Sequence, residues 1–313
     1  MADTSSPRHQ EFFFHYKPNG HAAIFFMLWF LAATVAHIYL AVKHKMRYLI
    51  WTAGLCGVFE VIGWVGRVIA SHNLESTSLI PYLLNSLFTL FGPTPLLGAN
   101  FILLGRVITR LGPCYSRLGV RKYSRIFLTC DCVAMFVQMS GGGLSAQSKT
   151  AKLGGTISLI GIIFQLLALV VYAALGTEFL VRYLKRNPFE NHTKDQYYRG
   201  DLTRRVKMLV GCMIFMTVMI LVRSIYRSAE LAGGYDGPVA SNEKLFIIFD
   251  AVLILLALGT LVILHPSRLL IREEEASRML YASDQSPVLD SQAYVQGGYA
   301  TGYPPAHKFA PLA

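Results

Sequence analysis

The sequence predicts an all-α membrane protein, a bundle of seven transmembrane helices with its N-terminus outside and its C-terminus in the cytosol. Of its 313 residues, 53% are hydrophobic and only 15% are charged, and its mean hydropathy is +0.43. Such a composition is typical of polytopic membrane proteins rather than soluble domains. Mostly apolar runs of about 20 residues, the length that crosses a hydrocarbon core of about 30 Å, occur seven times.

The distribution of Lys and Arg between the spans sets the orientation. The predicted spans cover residues 21–43, 47–70, 79–108, 123–143, 154–183, 204–231 and 244–265. The segments that follow the first, third, fifth and seventh spans, counted with the span ends that border them, hold 21 basic residues, whereas the N-terminus and the other loops, counted in the same way, hold five. Cytosolic loops are enriched in Lys and Arg, so the N-terminus is expected outside. The same loops account for the net charge of +11, and nucleic acid is therefore not expected as a partner.

The chain as a whole divides into three parts. Residues 1–14 are a predicted flexible N-terminus, residues 15–270 a single membrane domain, and residues 271–313 a cytosolic tail. The tail is rich in Ser, Gly, Pro, Gln and Tyr without apolar periodicity, so most of it is expected to be disordered. The five cysteines avoid the predicted outer loops, and the one sequon, at 191–193, falls in a cytosolic loop. We therefore expect no disulfide, no metal site, no cofactor and no glycan.

A helix break is predicted in the third span. Gly92, Pro93 and Pro95 lie near its middle, and the two prolines remove backbone hydrogen bonds. Interrupted helices often line the binding sites of transporters, although the same feature also serves packing. A functional role and a packing role both remain open for this break.

Apart from the charges near the cytosolic ends of the spans and Lys244 at the first residue of the last span, the predicted spans contain seven charged residues. An isolated charge inside a membrane costs roughly 2.5 to 3.5 kcal/mol. They should therefore face the bundle interior and form pairs. In the sixth span, Arg223, Arg227 and Glu230 are spaced i, i+4 and i+7 and share one helix face. The other four are Glu60, Arg67, Asp131 and Asp250. The expected partners of the arginines in the sixth span are Glu60, Asp131 and Asp250.

Two interpretations of these charges remain open. One is a polar cavity in the outer half of the bundle, because none of the seven lies near a cytosolic end and four lie within roughly 10 Å of an outer end. Gln138, seven residues after Asp131 on the same face, would line it too. The other interpretation is a structural salt-bridge network that fixes helix register.

Several motifs point to one known family. They are GWVGR (63–67), NFILLGRVI (100–108), CDCVAMFVQMSGGG (130–143), RSIYRSAELAGGYDGPVASNEKLFIIFD (223–250) and HPSRLL (265–270). Together they resemble the signatures of the fungal RTA-like family, seven-span proteins named for resistance to aminocholesterol and classed as lipid-translocating exporters. The family's motif residues map onto Arg67, Asp131, Gln138, Arg223, Arg227, Glu230, Glu243 and Asp250. The stretch GPTPLLGAN in the third span departs from the family pattern.

The resemblance implies a fungal integral membrane protein, expected in the plasma membrane, that is linked to export of sphingoid long-chain bases, tolerance of toxic amphiphiles or porphyrin traffic. Our leading hypothesis is a transporter whose partners are membrane lipids and an amphiphilic substrate. No phosphate-binding loop is present, so transport would be facilitated or ion-coupled, with Asp131 or Glu60 taking the proton. The alternative is a lipid or small-molecule sensor whose basic cytosolic loops engage a protein partner. An enzyme is not expected, because too few metal ligands converge.

Overall fold

The computed structural model describes residue 16 and residues 18–72, 79–145, 149–189, 199–234 and 237–271. The predictions for the N-terminal segment 1–14, the sequon at 191–193 and tail residues 272–313 lie outside the described residues.

Seven helices of the described chain are long and apolar enough to cross a membrane, which confirms the predicted all-α, seven-span fold. Every predicted boundary lies within four residues of the observed one. The helices are α1 Gly20–Lys43, α2 Arg47–His72, α3 in two parts (Leu79–Phe91 and Pro93–Leu111), α4 Val120–Ser145, α5 Ala151–Lys185, α6 Arg204–Ala232 and α7 Glu243–Leu269.

Local sequence signals explain several of these helix ends. The side chain of Asn19 accepts hydrogen bonds from the amides of His21 and Ala22 at the start of α1, and Thr203 caps α6 in the same way. These oxygens satisfy amides that have no partner in the first helical turn. At the C-terminal end of α3, Gly112 has a φ of 137°. Residues with a side chain rarely adopt this value, and the helix ends there.

The helices form a ring of neighbours in which each packs on the next, and α7 packs back on α1. The third span is the most buried of the seven, and its second part contacts α2, α4, α5 and α6. Large apolar side chains such as Trp29 on α1 and Leu167 on α5 are exposed. An apolar outer surface is what a lipid environment requires. We call the end of the bundle at which α1 begins the N-terminal face.

Two helices contain a π-helical segment, Ile50–Gly54 in α2 and Ile247–Val252 in α7. Such segments are rare and frequently accompany functional sites. The second one contains Asp250, which lies at the centre of the site described below.

Candidate functional site: a buried arginine cluster

Arg227 of α6 and Asp250 of α7 form the centre of a buried ion-pair cluster. Nε and Nη2 of Arg227 donate to the two carboxylate oxygens of Asp250 at 2.9 and 2.8 Å. Such a bidentate pair is among the stronger hydrogen-bonded arrangements in proteins. Nη1 of Arg227 donates to Glu230 one turn later at 2.9 Å, and Nη2 also donates to Oγ1 of Thr89 on α3 at 2.9 Å. One guanidinium therefore joins three helices.

Arg223 joins the cluster through a backbone group that the helix break sets free. Its Nε lies 2.7 Å from Oδ1 of Asp250, an ion pair without hydrogen-bond alignment. Its Nη2 donates to the carbonyl of Thr89. In an unbroken helix that carbonyl would accept from the amide of residue 93, but Pro93 has no N–H. The break in α3 thus supplies an acceptor that Arg223 occupies.

Glu60 of α2 completes the cluster, and the indole N–H of Trp64 lies beside its carboxylate but outside hydrogen-bond geometry. The residue is 1% exposed, and no described group within hydrogen-bond geometry serves either carboxylate oxygen. It lies in electrostatic range of Arg223, Arg227 and Asp250. A Cβ atom on Gly92 would collide with Oε1 of Glu60, so the glycine at the break makes room for this carboxylate. We call Glu60, Thr89, Arg223, Arg227, Glu230 and Asp250 the arginine cluster.

The arginine cluster has more acids than bases. Glu60, Glu230 and Asp250 face Arg223 and Arg227, so full ionisation would leave one negative charge in excess. Both arginines are paired with Asp250, and Arg227 is paired with Glu230 as well. The excess is therefore located at Glu60.

Arg67 of α2 forms an adjoining layer nearer the N-terminal face. Its Nη2 donates to the Tyr16 hydroxyl at 2.9 Å and to Glu243 at 2.8 Å, and its Nη1 donates to Asn85 at 3.2 Å. The Phe246 ring lies 4.6 Å from the guanidinium of Arg67 and 5.1 Å from that of Arg227. This ring therefore connects the layer to the arginine cluster by cation–π contacts.

Tyr16 is the one residue of this layer that lies ahead of α1. Burial raises the pKa of its hydroxyl, and the positive charge of Arg67 opposes that shift. The phenol is thus neutral at physiological pH, and it accepts a hydrogen bond from the guanidinium without adding charge.

The structure does not bring all eight predicted residues together. Glu60, Arg223, Arg227, Glu230 and Asp250 lie in the arginine cluster, and Arg67 adjoins it. Asp131 and Gln138 on α4 lie apart, and the expected pairing of Asp131 with the arginines of α6 is not formed, because α4 packs on α3 and α5 rather than on α6 or α7. Gln138 instead donates to Gln165 of α5 at 3.0 Å, which donates to Thr94 of α3 at 3.2 Å.

Sequence reasoning missed the uncharged members of the site. Thr89 is four residues before Pro93, and this spacing is the signal that marks its carbonyl as free. Asn85 lies one turn before Thr89 on the same face. Phe246 had no distinguishing signal, and Glu243 was identified only through the family resemblance.

A cleft of ≈510 Å³ opens beside the Arg67 layer at the N-terminal face. It is lined by Pro18, Asn19, Gly20, His21, Ile24, Ser71, His72 and Glu243. None of the eight predicted residues lines this cleft, and Glu243 connects it to Arg67. Within the described ranges, no group of three or more His, Cys, Asp or Glu residues could hold a metal ion.

Comparison with known proteins finds one matching family model and several similar proteins. A family model described as RTA1 like protein matches residues 53–273, more than two thirds of the chain. All three relatives named here are from Saccharomyces cerevisiae. Protoporphyrin uptake protein 1 is 26% identical over 64% of this chain and 63% of its own length. Protein RTM1 is 27% identical over 64% of this chain and 62% of its own length.

The third relative, sphingoid long-chain base transporter RSB1, is 27% identical over 77% of this chain and 69% of its own length. The chain thus spans somewhat less than two thirds of the first two relatives and slightly more than two thirds of the third. No solved structure matches the chain at a significant level.

Proposed function

The chain belongs to the RTA1-like protein family, and from that premise we propose that this integral membrane protein is a transporter of amphiphilic molecules with a cationic head group. Sphingoid long-chain bases and toxic sterol-like amines are the substrate classes we propose, with the fungal plasma membrane as the site of action. The names of the relatives support transport or uptake of amphiphiles. No catalytic role is proposed.

The observation that carries the proposal is the unpartnered carboxylate of Glu60. A carboxylate buried without a donor is costly, and an alkylammonium head group supplies both a positive charge and up to three N–H donors. Glu60 is the one acid of the arginine cluster without a hydrogen bond or ion pair, so it can pair with a substrate amine while the arginines keep their own partners.

The arginine cluster also explains why the site is closed in this conformation. Arg223 and Arg227 link α3, α6 and α7 through Thr89 and Asp250, and Gly92 packs directly on Glu60. Access to Glu60 therefore requires the first part of α3 to move away from α2. We propose that transport alternates between this closed state and one in which Glu60 is open.

The test measures flux of a fluorescent sphingoid base across proteoliposomes that contain the parent protein, Glu60→Gln or Glu178→Gln. Glu178 is the matched control because its ion pairs, with Arg117 and Arg182, are partly exposed and lie outside the arginine cluster. We expect Glu60→Gln to lower flux at least tenfold and Glu178→Gln to retain it. Absence of flux in the parent, or full flux in Glu60→Gln, would refute the proposal.

A sensor is the second candidate function, and the closed packing of the arginine cluster favours it. A receptor needs a buried network that a ligand rearranges, but it needs no continuous path for the ligand. Saturable binding of the fluorescent base, lost in Glu60→Gln and unaccompanied by flux, would select the sensor over the transporter.

A further inference from the structure

Asp131 is a buried acid that stands outside the arginine cluster. It lies within α4, it is 1% exposed, and its Oδ2 atom is fully buried. This Oδ2 atom has no hydrogen-bond partner among the described residues. Its situation differs from that of Glu60, which has two arginines close by.

The helices around Asp131 offer no charge to balance it. Residues 79–105 on α3 and 153–177 on α5 contain no Asp, Glu, Lys or Arg, and between residues 126 and 145 on α4 Asp131 is alone in this respect. The titratable groups next to it along α4 are Cys130 and Cys132. Tyr172 is the tyrosine within the uncharged stretch of α5. The Tyr172 hydroxyl is already engaged, because it donates to the carbonyl of Asn100 at 3.2 Å.

An ionised carboxylate in these surroundings would be a buried charge without a partner, which is much less favourable than a buried neutral acid. A neutral carboxylic acid avoids that cost. The acid can therefore ionise only in a conformation that brings water or a cation to it.

We infer that Asp131 is a proton-binding site, protonated in this closed conformation and deprotonated when the surrounding helices open. The inference rests on the proposed transport function for its role, which is to couple substrate movement to a proton gradient. Glu60 then holds the substrate head group, and Asp131 holds the coupling proton. The two sites belong to different groups of helices, because the arginine cluster joins α2, α3, α6 and α7, whereas Asp131 lies on α4, which packs on α3 and α5.

The break in α3 provides the physical link between the two sites. Thr89, four residues before Pro93, binds both arginines. Thr94, which follows Pro93, accepts from Gln165, and Gln165 accepts from Gln138 on the helix of Asp131. Further along, Leu128 of α4 packs against Gly98 of α3. A rearrangement at the break would therefore change the surroundings of both acids.

The first test detects the proton directly and does not depend on transport. Infrared spectra of the purified full chain in nanodiscs at neutral pH should contain the carbonyl stretch of a protonated carboxylic acid. The contribution of Asp131 to that band should be missing from the spectrum of Asp131→Asn. Asp201 is an exposed loop acid, so Asp201→Asn should leave the band unchanged. Identical spectra for the parent and Asp131→Asn would overturn the inference.

The second test measures coupling in proteoliposomes with an imposed pH gradient. Flux of the fluorescent base through the parent and Asp201→Asn should change severalfold with the gradient, and flux through Asp131→Asn should not. Flux through the parent that ignores the gradient would overturn the coupling role. If the infrared band is lost in Asp131→Asn but the parent shows no flux at all, the proton site stands and the transport proposal fails.

Discussion

At the scale of single residues, Arg227 shows how a membrane protein accommodates a buried charge. Its guanidinium is 6% exposed, and it donates to two acids and a threonine hydroxyl while stacking near Phe246. Replacing such a network by apolar residues is often harmless, but removing one partner leaves the remaining charge unpaired. Asp250 is the most sensitive position, because it serves both Arg223 and Arg227.

We therefore expect Asp250→Asn to lower the free energy of unfolding by about 3 to 5 kcal/mol, since two buried guanidiniums lose their anion. Chemical unfolding in mild detergent, followed by circular dichroism, measures the change. Glu178→Gln is the control, and its exposed pairs should contribute less than about 1 kcal/mol. Equal losses in the two variants would mean that the arginine cluster does not hold the bundle together.

At the scale of helices, α4 and α5 show how closely two backbones approach in this bundle. These two helices make an extensive contact. A Cβ atom on Gly141 would lie 2.5 Å from the backbone nitrogen of Ser158 and 2.6 Å from the carbonyl oxygen of Gly154. Small residues allow such approach where there is no hydrophobic force between lipid-embedded helices. The SGGG sequence at 140–143 therefore has a packing role, at Gly141 in particular.

Substituting alanine at two neighbouring glycines tests this contact. Gly141→Ala should destabilise the fold by about 1 to 3 kcal/mol, because backbone atoms cannot move aside as a flexible side chain can. Gly143→Ala should be neutral or slightly stabilising, since no atom lies within 4 Å of its Cβ and alanine favours helix. Thermal unfolding of both variants in the same detergent gives the comparison, and equal melting temperatures would contradict it.

At the scale of the whole molecule, the buried charges lie nearer to one end of the bundle than to the other. The arginine cluster and the Arg67 layer lie toward the N-terminal face, which the count of 21 against five basic loop residues predicts to be outside. A cationic substrate that reaches Glu60 from that face would meet the acidic cleft residue Glu243 first.

Epitope tags on the two termini test the orientation. We expect an N-terminal tag to bind antibody on intact fungal spheroplasts and a C-terminal tag to bind only after permeabilisation. Asn191 should carry no glycan, because the loop that contains it is predicted to be cytosolic. A glycan on Asn191, or reversed accessibility of the tags, would invert the proposed path of the substrate.

Sequence patterns were sufficient to predict the seven spans, their boundaries to within four residues, the break at Gly92 and the family. These features depend on the length of apolar runs and on the local chemistry of proline and glycine. Helical spacing also placed Arg223, Arg227 and Glu230 on one face.

The tertiary structure was needed to show which charges meet, because spacing along a helix gives depth and face but not the neighbour that the face contacts. Asp131 has a depth suited to the arginines, yet α4 turns it toward α3 and α5. Thr89 carries no charge, yet the packing of α6 on the broken α3 makes it the acceptor for both arginines.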